Sequence, residues 1–322
     1  MRDTKYEIRN TKKCLTITAA ISAACFVFCI SDFVFAAPTG ATLLKIGVGA
    51  RAVGMGSAYT AVADDVTAIH WNPAGLSRLS QRQLAAMHSE WLSESRYDFI
   101  GVAVPSAHGS WGASALYLSQ GGLERRDLSG TAGGRFNAYD AAAAVSYSRA
   151  LSARLSAGAA VKYVRQGIDA AASSGYAADV GLQMRLRRGV RAGLAVQNLG
   201  STLRFESEEY RLPLSVSGGV AVSFLKGILL AADVRQAIYE SRTEFNLGTE
   251  YTHGLLSLRA GYQALLAGRE TLSGKSAGFS APFAGGMGGG IGFRLSSYRL
   301  DYALVPYGEL GSAHRLSLST RF

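Results

Sequence analysis

Residues that could carry out chemistry are few in this chain, and their spacing fits no common catalytic or metal site. The histidines stand far apart, at His70, His88, His108, His253 and His314. These separations match no metal-ligand pattern, and no Gly-x-Ser-x-Gly nucleophile elbow accompanies them. The adjacent carboxylates Asp64 and Asp65 could form an acid pair, but we expect them to cap a helix or to pair with a buried arginine. The sequence therefore predicts no enzyme, no cofactor and no metal site.

Two glycine-rich stretches come close to nucleotide-binding motifs but lack the required context. Gly47–Ala52 fits a loose dinucleotide fingerprint, yet no strand precedes it and no parallel β-α-β unit follows. In Gly268–Ser276, five residues instead of four separate the first glycine from the Gly-Lys-Ser triplet. Both stretches are interpreted as loops. Because some membrane barrels cleave lipids, a lipopolysaccharide-modifying hydrolase is kept as the enzymatic alternative.

The first 36 residues have the pattern of a secretory signal peptide. A basic opening precedes an apolar run from Leu15 to about Ile30, and Val34-Phe35-Ala36 then offers small residues to a signal peptidase. An uncleaved membrane anchor is the alternative, but Asp32 interrupts the run. All three cysteines fall inside this leader, at Cys14, Cys25 and Cys29. The exported chain is therefore expected to contain no disulfide and no cysteine nucleophile.

The chain of 322 residues is basic, with a formal net charge of +10. Its basic residues are scattered along the sequence instead of forming a patch with interleaved aromatic side chains, so nucleic acid is not predicted as a partner. For an exported chain, lipopolysaccharide, another acidic surface polymer or charge pairs inside the fold are the expected counter-charges.

From about Gln83 to the C-terminus, segments of roughly ten residues alternate between apolar and polar side chains. We count fourteen such segments, beginning near Gln83, Arg96, Ser110, Phe136, Arg154, Ser174, Val190, Pro213, Ile228, Thr243, Leu255, Gly286, Tyr298 and His314. The pattern predicts an all-β fold, with residues 82–322 forming a transmembrane antiparallel β-barrel of about 14 strands. A secreted β-sandwich or propeller would also alternate, but tyrosines recur near the segment ends, as in the interfacial girdles of membrane barrels.

The last segment carries a second indication of location. Leu316, Leu318 and Phe322 share one face of the expected strand because side chains alternate with a period of two. A terminal aromatic residue on such a strand resembles the assembly signal of bacterial outer-membrane barrels. The sequence thus predicts the outer membrane as the location, with the barrel assembly machinery and outer-membrane lipid as partners.

The polar faces of the segments often carry full charges, which a barrel would direct into its lumen. These residues are Lys162, Asp179, Arg191, Asp233, Arg235, Glu250, Arg259, Arg299 and Asp301. They could line a polar conduction path or pair across the interior and fill it. Both signs are mixed and no ring of a single sign emerges, so the sequence favours a paired interior.

Residues 37–81 differ from the rest because they are rich in small side chains and lack a period of two. We expect a plug inside the barrel, since small side chains allow backbones to approach closely. Asp64 is the expected N-cap of a short helix through Trp71, and Asn72-Pro73-Ala74-Gly75 then supplies the chemistry of a turn.

This plug resembles the N-terminal signature of the PorV/PorQ family. The motifs that carry the resemblance are Gly49-Ala50-Arg51-Ala52, Ala63-Asp64-Asp65 and Trp71-Asn72-Pro73-Ala74-Gly75-Leu76, followed by the strand His88-Ser89-Glu90-Trp91. Ser57 departs from the pattern, which is expected to have glycine there. The resemblance implies the fold of the FadL-type long-chain fatty acid transporters, with the plug in or under the lumen.

The resemblance leaves two functions open. PorV-type relatives work with the type IX secretion system, where they receive exported cargo proteins and pass them to a surface attachment complex with other secretion subunits. FadL-type relatives let hydrophobic small molecules such as fatty acids cross by passive diffusion. Most connections in this chain are short, apart from about residues 121–135, 200–212 and 267–285. Since a fatty-acid channel usually has long surface loops, the sequence favours the accessory role in secretion.

Overall fold

The computed structural model describes residues 39–90, 95–126, 132–205, 208–266, 286–307 and 311–322. The predicted signal peptide, the connection 267–285 and Trp91 lie outside these residues. Across the described ranges, no α-helix has the length and apolar character needed to cross a membrane.

The strands are β1 (Gln83–Glu90), β2 (Arg96–Ser106), β3 (Gly109–Arg126), β4 (Ala132–Ala150), β5 (Leu155–Ile168), β6 (Ala171–Arg187), β7 (Val190–Gly200), β8 (Thr202–Phe205), β9 (Glu208–Arg211), β10 (Ser215–Phe224), β11 (Ile228–Ala237), β12 (Arg242–His253), β13 (Leu256–Leu266), β14 (Met287–Leu295), β15 (Tyr298–Pro306) and β16 (Ser312–Arg321).

Fourteen of these strands form one closed antiparallel barrel in which each strand pairs with its neighbours along the chain. The barrel closes where β1 pairs with β16, from Gln83 opposite Arg321 to Glu90 opposite His314. Closure leaves none of these fourteen strands at an open sheet edge, as a backbone surrounded by lipid requires. The predicted fold class is confirmed, and every predicted strand start lies within four residues of the observed one.

The two remaining strands, β8 and β9, form a separate hairpin between β7 and β10. They occupy the stretch over residues 200–212 that the sequence pattern predicts to be a connection. The connection expected over residues 121–135 is largely strand instead, because β3 continues to Arg126 and β4 begins at Ala132. Both stretches are rich in polar residues, so their strands lack the apolar face on which the prediction relied.

Alternation along each strand separates an apolar outer face from a polar inner face. In β5, the side chains of Val161 and Tyr163 point outward, with relative exposures of 62% and 39%, whereas Lys162 between them is 3% exposed. Leu316, Leu318 and Phe322 on the last strand are likewise exposed. The outer surface is therefore the apolar band that a lipid-facing barrel presents.

The two ends of the barrel differ in the length of their connections. At the short-turn end, which holds the start of β1 and the end of β16, connections of two to four residues join β2 to β3, β4 to β5, β6 to β7, β10 to β11, β12 to β13 and β14 to β15. The opposite, long-loop end holds the β8–β9 hairpin, and β13 ends and β14 begins there. In outer-membrane barrels the short turns face the periplasm.

The segment before β1 lies inside the barrel and supplies much of the buried core. It contains a 3-10 turn (Thr42–Lys45), helix α1 (Ala50–Gly54), helix α2 (Ala68–Trp71) and a second 3-10 turn (Pro73–Arg78). We call residues 39–81 the plug. It begins at the long-loop end, where the backbone N–H of Gly40 donates to Arg211 O at 3.0 Å, and it leads into β1 at the short-turn end.

The predicted helix cap in the plug is wrong. Helix α2 is only four residues long, and its N-cap is Thr67, with no side-chain cap bond. Asp64 lies outside the helix because it pairs with arginines, as described below. The neighbouring Asp65 accepts a hydrogen bond from the backbone N–H of Thr67 at 3.0 Å, which fixes the approach to the helix as a local turn.

Candidate functional site

The plug and the barrel wall touch backbone to backbone at several wall glycines. A Cβ atom placed on Gly261 of β13 would lie 1.9 Å from Gly56 N, and one on Gly193 of β7 would lie 2.4 Å from Thr60 O. Similarly, a Cβ on Gly248 of β12 would lie 2.3 Å from Met55 O. Small residues are therefore needed on the wall as well as in the plug, whereas the sequence indicated this need only for the plug.

Asn72 ties the plug to two wall strands. This residue is fully buried, and its side-chain nitrogen donates to Thr60 O at 2.9 Å and to Leu182 O of β6 at 3.1 Å. Leu194 O of β7 lies 3.4 Å from the same nitrogen, and Asn72 Oδ1 accepts the N–H of Ala74 at 3.2 Å. The Asn-Pro-Ala-Gly motif thus forms the predicted turn and also anchors that turn to the wall.

Replacing Asn72 with alanine should loosen the plug without preventing barrel formation. The variant removes one buried donor from Leu182 O and one of two side-chain donors from Thr60 O, the other being Gln183 Nε2 at 3.1 Å, so we expect a loss of roughly 1–3 kcal/mol in plug docking. Hydrogen exchange followed by mass spectrometry should show faster exchange in residues 59–76. Asn246→Ala is the matched control because Asn246 is also a buried lumenal asparagine, but its side-chain oxygen has no hydrogen-bond partner among the described residues. Equal exchange in the two variants would contradict the anchoring role.

The other plug residues of the motif are packed close to this turn. The indole N–H of Trp71 donates to Val48 O at 2.8 Å, and the ring meets that of Tyr59 edge-on at a centroid distance of 6.1 Å. Pro73 begins the second 3-10 turn. Gly75 allows that turn to approach Ala63, since a Cβ there would lie 2.3 Å from Ala63 O.

Arg51 is the centre of a charge cluster at the short-turn end of the plug. Its guanidinium binds Glu250 of β12 through two nitrogens, with Nε 2.9 Å from Oε2 and Nη2 2.8 Å from Oε1. The third nitrogen, Nη1, lies 2.5 Å from Asp64 Oδ1 and 2.8 Å from the Tyr59 hydroxyl. That hydroxyl donates to Asp65 Oδ2 at 2.7 Å. The predicted motif residues Arg51, Asp64 and Asp65 therefore lie together in one network that reaches a wall carboxylate.

Glu250 also joins Arg51 to two wall arginines. Arg259 Nε of β13 lies 2.7 Å from Glu250 Oε2, and Arg259 Nη2 lies 2.8 Å from Asp301 Oδ1 of β15. Arg299 of β15 contacts the same two carboxylates, at 3.4 Å from Glu250 and 3.0 Å from Asp301. We call Arg51, Glu250, Arg259, Arg299 and Asp301 the lumenal ion cluster. Its charges alternate and pair across three strands and the plug.

The remaining lumen charges predicted from the sequence lie in four other places. Lys162 and Asp179 form a buried pair at 2.6 Å between β5 and β6, outside the cluster. Asp233 accepts the backbone N–H of Thr60 at 2.7 Å and so binds the plug directly. Arg235 donates to Ser215 at 3.2 Å, and Arg191 lies 3.7 Å from Asp64.

Two lumenal charges that contact the plug were missed. Asp140 of β4 accepts the N–H of Leu43 at 3.3 Å, and Arg315 of β16 donates to Gly47 O. Both residues lie on the polar face of their strands, so strand alternation could have found them.

Two plug residues have shifted proton affinities. Burial alone would raise the pKa of Asp64, but nearby guanidinium groups, with that of Arg51 foremost, outweigh this effect and lower it. Burial lowers the pKa of His70 well below its ordinary value, and the positive charge of Lys162 lowers it further. Neither ring nitrogen of His70 has a hydrogen-bond partner among the described residues. At neutral pH, Asp64 is therefore charged and His70 is neutral.

A cavity of about 300 Å³ lies between the plug and the wall towards the long-loop end. Its apolar lining includes Val53 and Trp71 from the plug and Leu265 and Val305 from the wall. Five charged side chains also line it, namely Lys45, Arg235, Arg242, Glu244 and Arg315. Volumes of about 300–1,000 Å³ with mostly apolar walls and a few polar groups are typical of small-molecule sites. We call this space the lumenal cavity.

The described residues offer no ready metal site. Within these ranges, no three His, Cys, Asp or Glu side chains converge in a way that could hold a metal ion. His88 instead lies 2.6 Å from Asp98 on the outer face, and His314 lies 2.8 Å from the hydroxyl of Tyr302. The histidines are thus distributed over the wall and the plug.

Solved structures with this fold include several channels. A monoaromatic hydrocarbon channel, CymD, is 14% identical with a TM-score of 0.65, and the match covers 88% of this chain and 99% of that chain. The toluene transporter TodX of Pseudomonas putida is 14% identical with a TM-score of 0.61, covering 85% and 96%. A FadL homologue of Pseudomonas aeruginosa is 12% identical with a TM-score of 0.57, covering 90% and 99%. These similarities establish a FadL-like barrel fold.

A search of curated protein sequences finds no match. The sequence model of the Uncharacterised protein family (UPF0164) matches residues 16–218, which include the plug and the barrel strands through β7. Because this match spans more than half of the chain, the protein belongs to the Uncharacterised protein family (UPF0164).

Proposed function

We propose that the protein is an outer-membrane channel that lets hydrophobic small molecules cross by passive diffusion. The observation that carries this proposal is the lumenal cavity, a space of about 300 Å³ between the plug and the wall that apolar and charged side chains line together. The similarity in fold to hydrocarbon channels supports it. The sequence alone favoured the accessory role in secretion because most connections are short. It did not predict the β8–β9 hairpin.

The outer membrane is the proposed location. The apolar outer face, the closed antiparallel barrel and the exposed terminal Phe322 support it. In this orientation the short-turn end faces the periplasm and the lumenal cavity lies towards the cell exterior. Outer-membrane lipid, lipopolysaccharide and the barrel assembly machinery are the proposed partners during insertion.

The cavity gives the proposal a direct test. Purified barrel in lipid vesicles should admit radiolabelled toluene faster than vesicles without protein. Leu265→Trp should slow this uptake several-fold because the larger side chain fills the lumenal cavity, which Leu265 lines. Leu258→Trp is the matched control, since Leu258 lies on the same strand but is 47% exposed on the outer face. Uptake no faster than in protein-free vesicles would overturn the channel.

A second candidate is the accessory role in protein secretion that the PorV/PorQ resemblance implies. The lumenal ion cluster favours it, because Arg51 and Glu250 fix the plug across the lumen through two short contacts. A barrel held shut in this way suits a receptor for exported proteins. Deleting the gene should then trap surface proteins in the periplasm, and detergent pull-down should recover exported cargo or secretion subunits. Normal surface delivery after deletion would contradict this role.

A further inference from the structure

The short-turn end of the barrel contains a second, strongly charged cavity. It has a volume of about 780 Å³ and lies between the plug and the short turns at this end of the barrel. Six arginines line it in addition to Arg51, namely Arg78, Arg154, Arg185, Arg187, Arg188 and Arg191. They come from the plug, the β4–β5 turn and both sides of the β6–β7 turn. We call this space the arginine vestibule.

The carboxylates in the vestibule do not balance these charges. Among the described lining residues only Asp64 and Glu250 are acidic, and both are already bound to Arg51. Asp64 is shared further, with Arg191 at 3.7 Å and Arg78 at 3.9 Å. No carboxylate within the described ranges forms an ion pair with the four remaining arginines, which are Arg154, Arg185, Arg187 and Arg188. The vestibule therefore has an excess of positive charge in a concave site.

Burial and neighbouring positive charges both lower the pKa of Arg78. The pKa of this guanidinium is lowered to about 10, chiefly by burial; Asp64 acts in the opposite direction, and the positive charges of Arg191 and Arg185 contribute to the lowering. A residue that remains charged under such conditions gains from any additional anion. Concave surfaces of a single sign also concentrate counter-ions, because low-dielectric walls focus the field into the cleft.

Arginine is suited to bind oxyanions in such a site. Its planar guanidinium presents paired N–H groups that match a phosphate or carboxylate in a two-point contact, and it is more weakly hydrated than an ammonium group. A single anionic group could engage only part of an array that extends from Arg154 to Arg191. A molecule with two or more such groups could bridge the plug arginine and the turn arginines, and the volume is ample for one.

We propose that the arginine vestibule is a binding site for a small anion carrying at least two phosphate or carboxylate groups. This site goes beyond the proposed channel activity, since a hydrocarbon has no charge for these arginines to recognise. It also lies at the opposite end of the barrel from the lumenal cavity. The anion could be free in the periplasm or could be the headgroup of an acidic lipid in the inner leaflet, and both present the same oxyanion chemistry.

Titration with pyrophosphate tests the site. The full-length barrel in non-ionic detergent, held at constant ionic strength, should bind pyrophosphate saturably by isothermal titration calorimetry. The double substitution Arg187→Gln/Arg188→Gln should weaken binding at least tenfold. Both residues are exposed, Arg187 at the end of β6 and Arg188 in the β6–β7 turn, so the barrel should still fold. Retained heat-modifiable mobility on gels would verify folding.

Arg125→Gln/Arg126→Gln is the matched control because it removes the same charge from the long-loop end of β3. This variant should bind pyrophosphate like the original protein. No saturable binding, or an equal loss in both double variants, would overturn the proposal. Either result leaves the toluene uptake test untouched, so failure of this site and failure of the channel are distinguishable.

Micelles doped with phosphatidylglycerol identify the source of the anion. If the lipid lowers the apparent affinity for pyrophosphate, and the Arg187→Gln/Arg188→Gln variant loses this competition, the site accepts a lipid headgroup. If pyrophosphate binding is unchanged by the lipid, the site is one for free anions. Both outcomes support a vestibule site and differ only in what fills it.

Discussion

Replacing Glu250 with glutamine should destabilise the protein far more than the loss of any ion pair on its surface. The free energy of unfolding should fall by roughly 3–5 kcal/mol, because a buried ion pair loses one partner and leaves uncompensated charge. Glu250 is the carboxylate that Arg51, Arg259 and Arg299 share, and its side chain is only 8% exposed. Urea unfolding in detergent micelles, followed by heat-modifiable gel mobility, measures the change.

Glu124→Gln is the matched control. Glu124 contacts Arg126 at 2.8 Å, but the two side chains are 49% and 62% exposed. Exposed pairs of this kind contribute about 0–1 kcal/mol, so the control should unfold almost like the original protein. If both substitutions cost the same, the lumenal ion cluster does not stabilise the fold.

A double substitution separates charge imbalance from lost packing. Arg51→Met/Glu250→Gln removes one positive charge together with the negative one, so it should cost less than the sum of the two single changes. The difference reports the coupling between plug and wall. Strict additivity would show that the bidentate contact between Arg51 and Glu250 carries no energy beyond the burial of each side chain.

The sequence was sufficient for the fold because a barrel strand is a local pattern. Alternation in β5 or β15 can be read from ten consecutive residues, and it places Lys162, Arg299 and Asp301 on the inner face without knowledge of the partners. The order of strands then follows from antiparallel neighbours. The β8–β9 hairpin escaped prediction because its two strands have only four residues each.

The candidate site could be predicted only in part, because its contacts join residues far apart in the chain. Nothing near Arg51 indicates that its carboxylate partner is Glu250, which lies 199 positions away. Asp64 looked like a helix cap because a cap is a local role, whereas its actual partners depend on how the plug is seated. The arginine vestibule likewise depends on where the plug lies, because Arg51 and Arg78 of the plug line it together with the turns at residues 151–154 and 188–189.

Replacing Gly261 with alanine should displace the plug from its contact with the barrel wall. The Cβ of Gly261→Ala would lie 1.9 Å from Gly56 N and 2.4 Å from the carbonyl carbon of Met55, so it would collide with the Met55–Gly56 peptide of the plug. The plug must withdraw by about 1.5 Å to reach the 3.4 Å of ordinary contact. The wall cannot yield instead, because Gly261 is paired with Gly248 inside the closed sheet.

Withdrawal of the plug can be measured by limited trypsin digestion of the barrel in detergent. Overpacking costs about 1–3 kcal/mol, so cleavage after Arg51, which the seated plug buries, should become about tenfold faster or more. If the plug closes the proposed channel, the same variant should raise toluene uptake into vesicles. These two measurements separate the position of the plug from its effect on transport.

Gly289→Ala makes the same substitution on the neighbouring strand β14 without the collision. A Cβ at Gly289 meets nothing closer than Arg259 O at 3.5 Å, which is an ordinary contact. This control should therefore be digested at the original rate and show unchanged uptake. Faster cleavage after Arg51 in Gly261→Ala alone would mean that contact at this one wall glycine sets the depth of the plug. Equal cleavage in both variants would mean that the plug is held by its polar contacts at Asn72 and Glu250, and that the glycine faces only permit them.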